Sequence, residues 1–309
     1  MTRTYYGLDI GGTKIELVAC GDSLEVGYRR RVTTPTQDYA EFLDTVDALV
    51  RSADEELDAT CDAVGVGLPG VVDRATGQQL SSNVPALTGR QVGQDLQARL
   101  QRPLHLGNDL QCFALSEAHG GAAEGYASMF GAILGTGAGG GYCIEGRLIA
   151  GYNGIAGEWG HWGVPASLLA KYELPLLDCA CGLRGCLERY VSGSGLAMIH
   201  RHLGGGALEA SAVVDRVRHD DSTALRALEV HRDLLGHAFA SLVMALDPHV
   251  IVLGGGLSKF EPLYRDLPDA IAAHLFKGMR VPPILPPKFG DAGGARGAAL
   301  LARQHGTAP

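Results

Sequence analysis

No stretch of this 309-residue chain approaches the run of about 20 apolar residues that a membrane helix needs. A membrane partner is therefore not expected. Basic excess is missing as well. Its 26 Lys and Arg face 34 Asp and Glu, a formal charge of -8, and no segment forms the basic stripe that marks a nucleic-acid footprint. The short Arg29, Arg30, Arg31 run reads as one exposed strand end. The opening residues 4–9 read as a strand, without the charged leader and apolar core of a secretory signal, so a cytoplasmic location is expected. Cysteine is too scattered for a disulfide framework: the count is seven, and Cys20, Cys61, Cys112 and Cys143 stand singly, which suits a reducing compartment. Two glycine patterns are false leads. Residues 65–70 and 135–140 fit the dinucleotide fingerprint, but neither is followed by a helix, which sets aside a dinucleotide-dependent oxidoreductase. Residues 7–14 resemble a P-loop, but Thr13 precedes Lys14, the wrong order.

What is present is concentrated. Cys179, Cys181 and Cys186 fall inside eight residues, with His161 just upstream and Glu158 and Glu188 beside them. Thiolate and imidazole are the ligands of a closed tetrahedral zinc site. Gly182 and Gly185 let the chain turn tightly enough for the sulfurs to face one ion. Disulfides or inert thiols are the competing reading, although Cys179 and Cys181 are too close to bridge without strain. Four protein ligands leave no open position, so Zn2+ would be structural.

The length and the 46% hydrophobic content allow two domains with separate cores. Strands are expected over residues 5–10, 15–20, 63–68, 104–106, 129–134, 142–144 and 250–253, and helices over 38–57, 110–118 and 293–303. A long helix ended by Pro248 should bury Leu225, Leu228, Leu235, Phe239, Leu242 and Leu246. The device of apolar strand, glycine-threonine turn and second strand occurs at Leu8–Lys14 and again after Ile133, which points to two related α/β halves. We place the boundary so that residues 1–120 form a small N-terminal domain and 121–309 a larger one carrying the zinc loop. The terminal helix would pack back on the first. Three glycine turns follow apolar strands, at residues 9–14, 135–141 and 254–256, and their backbone N–H groups could cradle phosphates. An ordinary hairpin is the alternative for each one.

Residues 8–14, Asn108 and Asp109, residues 134–137, residues 157–161 and the Cys179–Glu188 pattern stand in the order seen in ROK-family sugar kinases, which the chain resembles over essentially its whole length. Residues 83–86, 112–118 and 290–299 look like stretches of family members that phosphorylate N-acetyl-D-glucosamine. Trp159 stands where the family more often has a smaller side chain, with packing the expected consequence. The resemblance implies an α/β, two-domain actin-like ATPase (ribonuclease H-like) fold with a cleft between the domains. It implies ATP-dependent phosphorylation of N-acetyl-D-glucosamine at the 6-hydroxyl, with glucose, fructose, mannose or N-acetylmannosamine as alternatives. A sugar sensor without turnover is a weaker alternative. The family's repressors carry an N-terminal helix-turn-helix, which is not expected here because the first strand begins by Tyr5.

The same resemblance assigns roles. Asp109 would be the general base, although its sequence position also suits a helix cap. Asn108, Asp109, Glu158, His161 and Glu188 would hold sugar hydroxyls, His161 using its second nitrogen while the first binds zinc. Asn83 reads equally as a sugar contact or a turn residue. Asp9 would hold Mg2+ through water. Gly11, Gly12, Thr13 and Lys14 would approach the β- and γ-phosphates. Gly135, Thr136, Gly137, Gly139 and Gly140 would form a second phosphate clamp, with Gly254, Gly255 and Gly256 near the nucleotide. Kinases of this type are often dimers, which leaves a homodimer open.

Overall fold

A computed structural model of the chain describes residues 3–81, 83–290 and 293–306. Asp291 and Ala292 of the 290–299 stretch lie outside the described residues. The chain runs β1 (Tyr5–Ile10), β2 (Lys14–Cys20), β3 (Val26–Thr33), α1 (Tyr39–Leu57), β4 (Ala63–Leu68), β5 (Val71–Val72), β6 (Gln79–Leu80), α2 (Val92–Leu100), β7 (Leu104–Asn108) and α3 (Asp109–Ala118). It continues with β8 (Ser128–Leu134), β9 (Ala138–Ile144), β10 (Arg147–Leu148), α4 (Ala166–Lys171), α5 (Glu188–Val191), α6 (Gly193–His202), α7 (Ala210–Arg218), α8 (Ser222–Leu246), β11 (Val250–Gly254), α9 (Pro262–Ala272), β12 (Ile284–Leu285) and α10 (Gly293–Gly306).

Two five-stranded sheets share one strand order, β3-β2-β1-β4-β7 and β10-β9-β8-β11-β12, and β5 pairs with β6. In the first sheet β1 is antiparallel to β2 and parallel to β4, which is parallel to β7. In the second, β8, β11 and β12 are parallel. The shared order is the structural form of the repeated strand-turn-strand device. Two compact units emerge: Met1–Glu124 with Gly141–Ala156 and Phe289–Pro309, and Gly125–Gly140 with Gly157–Lys288. The single cut expected after residue 120 differs from this because the chain returns to the first unit twice. On the first return Gln111 on α3 donates to the carbonyls of Gly154 and Ala156, each at 3.1 Å. On the second, α10 lays its small residues on the first sheet.

Period-2 alternation explains that contact. Tyr6, Leu8 and Ile10 of β1 join one core with Phe42, Val46, Leu49 and Val50 of α1. The opposite face carries glycine. A methyl group at Gly7 would collide with the Ala295 carbonyl, and one at Gly65 with the Ala298 carbonyl. The alternating glycines of β4 thus serve close helix packing. Arg296 on α10 donates to the Ser116 carbonyl at 2.9 Å and lies over the Phe289 ring, fastening α10 to α3.

Two expectations need correction. Arg29, Arg30 and Arg31 sit in the middle of β3 rather than at a strand end. Their charges serve the sheet, since Arg29 and Arg31 both pair with the buried Glu16 of the neighbouring strand. The buried face of α8 includes Leu235, Phe239 and Leu242 as expected, but it turns away from Leu225, with Leu228 and Leu246 only half-buried. Leu225 is 41% exposed, and the stripe runs through Ala224, Ala227, Val230, His231, Leu234, Leu235, Ala238, Phe239 and Leu242. Small alanines allow close approach at the start of the helix, where the larger Leu225 faces outward. Among the described residues no helix is long and apolar enough to cross a membrane.

His231 is a buried titration site within this stripe. Its Nε2 donates to the Val191 carbonyl at 2.8 Å, and burial pushes the imidazole down to about 4. A histidine held neutral contributes stability that is fully present above its unfolded pKa of about 6.5 and is lost as pH falls through the folded value. The expected loss between pH 6.5 and 4 is about 3 kcal/mol. Urea unfolding at a series of pH values should show this slope, and His231→Gln should flatten it.

Candidate active site

Parallel strands present their carboxyl ends as a ligand edge, and in the first unit this edge gathers Asp9, Gly11, Gly12, Thr13, Lys14, Asn83, Asn108 and Asp109. Gly11 N–H donates to the Lys14 carbonyl at 2.9 Å, closing the turn between β1 and β2. Thr34 braces it through its hydroxyl to the Gly11 carbonyl and its N–H to the Thr13 carbonyl. A methyl at Gly12 would stand 3.2 Å from the Asn83 carbonyl oxygen, so the exposed Asn83 borders this turn.

The register places a charged row across the sheet: Arg31 opposite Glu16, Glu16 opposite Asp9, and Asp9 opposite Gly67. Burial pushes the Asp9 carboxyl up to about 6, the Glu16 charge adds to this, and Lys14 and Arg31 oppose it. A Cβ at Gly294, on the first turn of α10, would come within 2.5 Å of Asp9 Oδ2. Glycine there lets the start of α10 pack against the carboxylate without a collision. A carboxylate oxygen is the donor type Mg2+ takes, with waters and phosphate oxygens completing its shell.

Gly67 also brings α3 down beside this row. Its absent Cβ would lie 3.4 Å from Asp109 Cα and 3.3 Å from Cys112 Sγ. The capping role is filled by Asn108, whose Oδ1 accepts from Leu110 N–H at 2.9 Å and Gln111 N–H at 3.3 Å, while its Nδ2 donates to the Gly70 carbonyl. Asn108 is thus largely committed to the scaffold. Asp109 follows as the first helical residue, with Oδ1 accepting from Leu110 N–H at 3.0 Å.

In the second unit, Gly135 N–H donates to the Gly137 carbonyl at 3.0 Å, making a tight turn at the end of β8. Gly255, with φ +76°, packs so closely on this turn that a Cβ would stand 2.6 Å from the Leu134 carbonyl carbon. The two expected nucleotide turns are therefore neighbours at the ends of parallel strands β8 and β11. Gly139 and Gly140 differ from the rest of their group. They are buried inside β9, and a methyl at Gly140 would collide with the Gly131 carbonyl of β8. Packing accounts for that glycine.

The metal set converges. The ligand atoms of His161, Cys179, Cys181 and Cys186 all lie within 4.8 Å of one another. Cys179 Sγ is 3.7 Å from His161 Nδ1, and Cys181 Sγ is 3.6 Å from Cys186 Sγ. Zinc–ligand bonds of 2.0–2.3 Å give tetrahedral edges of about 3.3–3.8 Å, so the residues fit Zn2+. Gly182 and Gly185 take φ of +90° and +73° to shape the loop. His161 turns Nδ1 toward the sulfurs and Nε2 toward Glu158, 3.8 Å from Oε2. Burial raises the Glu158 carboxyl, a shift that His161 opposes and Glu188 reinforces. Trp159 is buried with its ring centroid 5.1 Å from that of Phe239, which holds the Glu158–His161 turn against α8. Glu188 Oε2 accepts from Ala138 N–H at 3.1 Å, so it reaches the Gly135–Gly137 turn as well.

Glu16, Thr34, Gly67 and Gly294 were given no site role from sequence. Only Glu16 had a usable signal, because a tight hairpin pairing Ile10 with Ile15 necessarily sets Asp9 against Glu16.

Known proteins similar to this chain are sugar kinases. The chain is 47% identical over 297 residues to an N-acetylgalactosamine kinase of Shewanella sp. (strain ANA-3), covering 96% of each chain. It is 45% identical over 299 residues to an N-acetyl-D-glucosamine kinase of Pasteurella multocida (strain Pm70), covering 96% of this chain and 98% of that one. Its structure superposes on that of a ROK hexokinase from Thermus thermophilus with a TM-score of 0.87, at 30% identity and 98% coverage of both. The ROK family model matches residues 5–305. With the glycine turns, Asp109 and the Cys-His cluster in one chain that this model spans almost end to end, the protein belongs to the ROK family.

Proposed function

We infer that the protein is an ATP-dependent sugar kinase that phosphorylates N-acetyl-D-glucosamine at its 6-hydroxyl, giving N-acetyl-D-glucosamine 6-phosphate and ADP. The observation that carries this is Asp109 on the first turn of α3, lowered by Gly67 to the sheet edge that bears Asp9. Relatives named N-acetyl-D-glucosamine kinase, at 41–45% identity, support the substrate. N-acetylgalactosamine, its C4 epimer, is the second reading, favoured by the relative at 47%.

Asp109 accepts the proton of the 6-hydroxyl as that oxygen bonds to the γ-phosphorus and the bond to the bridging oxygen of ADP breaks. The Gly12 N–H and the Lys14 ammonium hold the β- and γ-phosphates, on the turn that the Gly11 N–H closes. The Gly135–Gly137 and Gly254–Gly256 turns hold the rest of the nucleotide's phosphate chain. Asp9 would bind Mg2+ through water, and that ion would neutralise phosphate charge. Glu158, Glu188, Asn83 and the remaining amide hydrogen of Asn108 orient the sugar hydroxyls. Zn2+ on Cys179, Cys181, Cys186 and His161 Nδ1 would be structural, fixing the imidazole so that Nε2–H serves the sugar. The test is transfer from Mg-ATP to the sugar, with the phosphorylated position read by NMR.

A further inference from the structure

One segment of the second unit touches both the metal loop and the Gly135–Gly137 turn. It starts two residues after Cys186 and makes three ties. Glu188 Oε2 accepts from Ala138 N–H at 3.1 Å, while its Oε1 lies 3.6 Å from Cys179 Sγ. Gly193 N–H donates to the Gly135 carbonyl at 2.8 Å. Ser194 Oγ donates to the Thr136 carbonyl at 2.8 Å.

Glycine makes these ties possible. A Cβ at Gly137 would stand 2.5 Å from Glu188 Oε2, and one at Gly193 would stand 2.9 Å from the Gly135 carbonyl oxygen. Ser192 caps α6 by accepting from Gly195 N–H at 3.1 Å, which sets the angle at which Gly193 and Ser194 meet the turn. Each carbonyl of residues 135 and 136 is thus held by a donor from one bracket, which fixes the peptide planes and the direction in which the turn's N–H groups point.

We propose that Glu188–Ser194 couples the Cys-His metal loop to the nucleotide turn, with Ser194 as a positioning residue for nucleotide. This rests on the assignment of Gly135–Gly137 to the nucleotide. A metal that rigidifies the loop through Cys186 holds Glu188, two residues on, and through it and α5 the turn. Coupling of binding is reciprocal, so nucleotide must tighten zinc by the factor by which zinc tightens nucleotide. That separates the idea from a purely stabilising metal, which would raise thermal stability without making zinc affinity depend on ADP.

The experiment measures zinc affinity by competition with a chromophoric chelator, with and without saturating ADP and without sugar, in the native chain and in Ser194→Ala. Amide hydrogen exchange at residues 135–138 is followed alongside. The expected result is slower exchange at these amides with ADP and about fivefold or greater tightening of zinc. In Ser194→Ala, whose exposed side chain leaves the core intact, that factor should fall to less than about half, in line with one lost hydrogen bond. If ADP slows exchange there but leaves zinc affinity unchanged, the coupling is wrong and the nucleotide placement stands. A full coupling factor in Ser194→Ala would remove Ser194 from the role. Unchanged exchange with ADP bound would overturn the nucleotide placement, and the coupling with it.

Discussion

Asp109→Asn should lower kcat by about 1,000-fold, within the range that a positioned general base contributes, while sugar affinity changes by no more than about threefold. The asparagine carbonyl oxygen can still accept from Leu110 N–H, as Asp109 Oδ1 does at 3.0 Å. Asn108 keeps its cap on Leu110 and Gln111, so α3 should start in the same place. What the substitution removes is the basic oxygen. Sugar binding by calorimetry, without nucleotide, separates the two roles. Retained binding with lost turnover identifies a base, whereas lost binding would make Asp109 mainly a sugar ligand.

Cys181→Ser should release zinc and lower the thermal midpoint by about 10 °C. Cys181 is the exposed member of the cluster, so little packing is lost, and the effect isolates the metal. Zinc at about 1,000 times its dissociation constant stabilises a protein by about 4 kcal/mol. For a chain of this size that converts at about 2–4 °C per kcal/mol. Sugar affinity should fall with it, because His161 loses the bond that fixes its ring while Nε2 faces Glu158. Metal analysis, a melting curve and sugar calorimetry on one preparation test all three points. A variant that keeps zinc and normal sugar affinity would dismiss the zinc assignment.

The parts that were legible in the sequence share a local cause. The hairpin of β1 and β2 is written in apolar runs on either side of Gly11 and Gly12. The start of α1 is written in Asp38, whose side chain accepts from Glu41 N–H at 3.0 Å. The Cys-His cluster is written in cysteine spacing with turn glycines. What escaped depends on partners distant in the chain. The edge strand β3 carries an arginine run because Glu16 lies opposite it, so its pattern looked like a polar strand end. In α9, Pro268 lies inside the helix and obscures its periodicity. Gly65 and Gly67 resembled a ligand loop because the alanine face of α10 and the N-terminus of α3 that require them lie 40 to 230 residues on. Ser194 is a polar surface residue by every local measure, and only the fold sets it on Thr136.

The central claim is phosphoryl transfer to N-acetyl-D-glucosamine, and the most direct measurement is ADP release from Mg-ATP against a sugar panel, with the product examined by phosphorus–proton correlation NMR. The account predicts the highest kcat/KM for N-acetyl-D-glucosamine, one ADP per phosphosugar, and phosphate coupled to the C6 protons. Preference for N-acetylgalactosamine would keep the chemistry and change the substrate. Zinc-loaded protein that binds sugar but transfers phosphate to none of them would contradict the account.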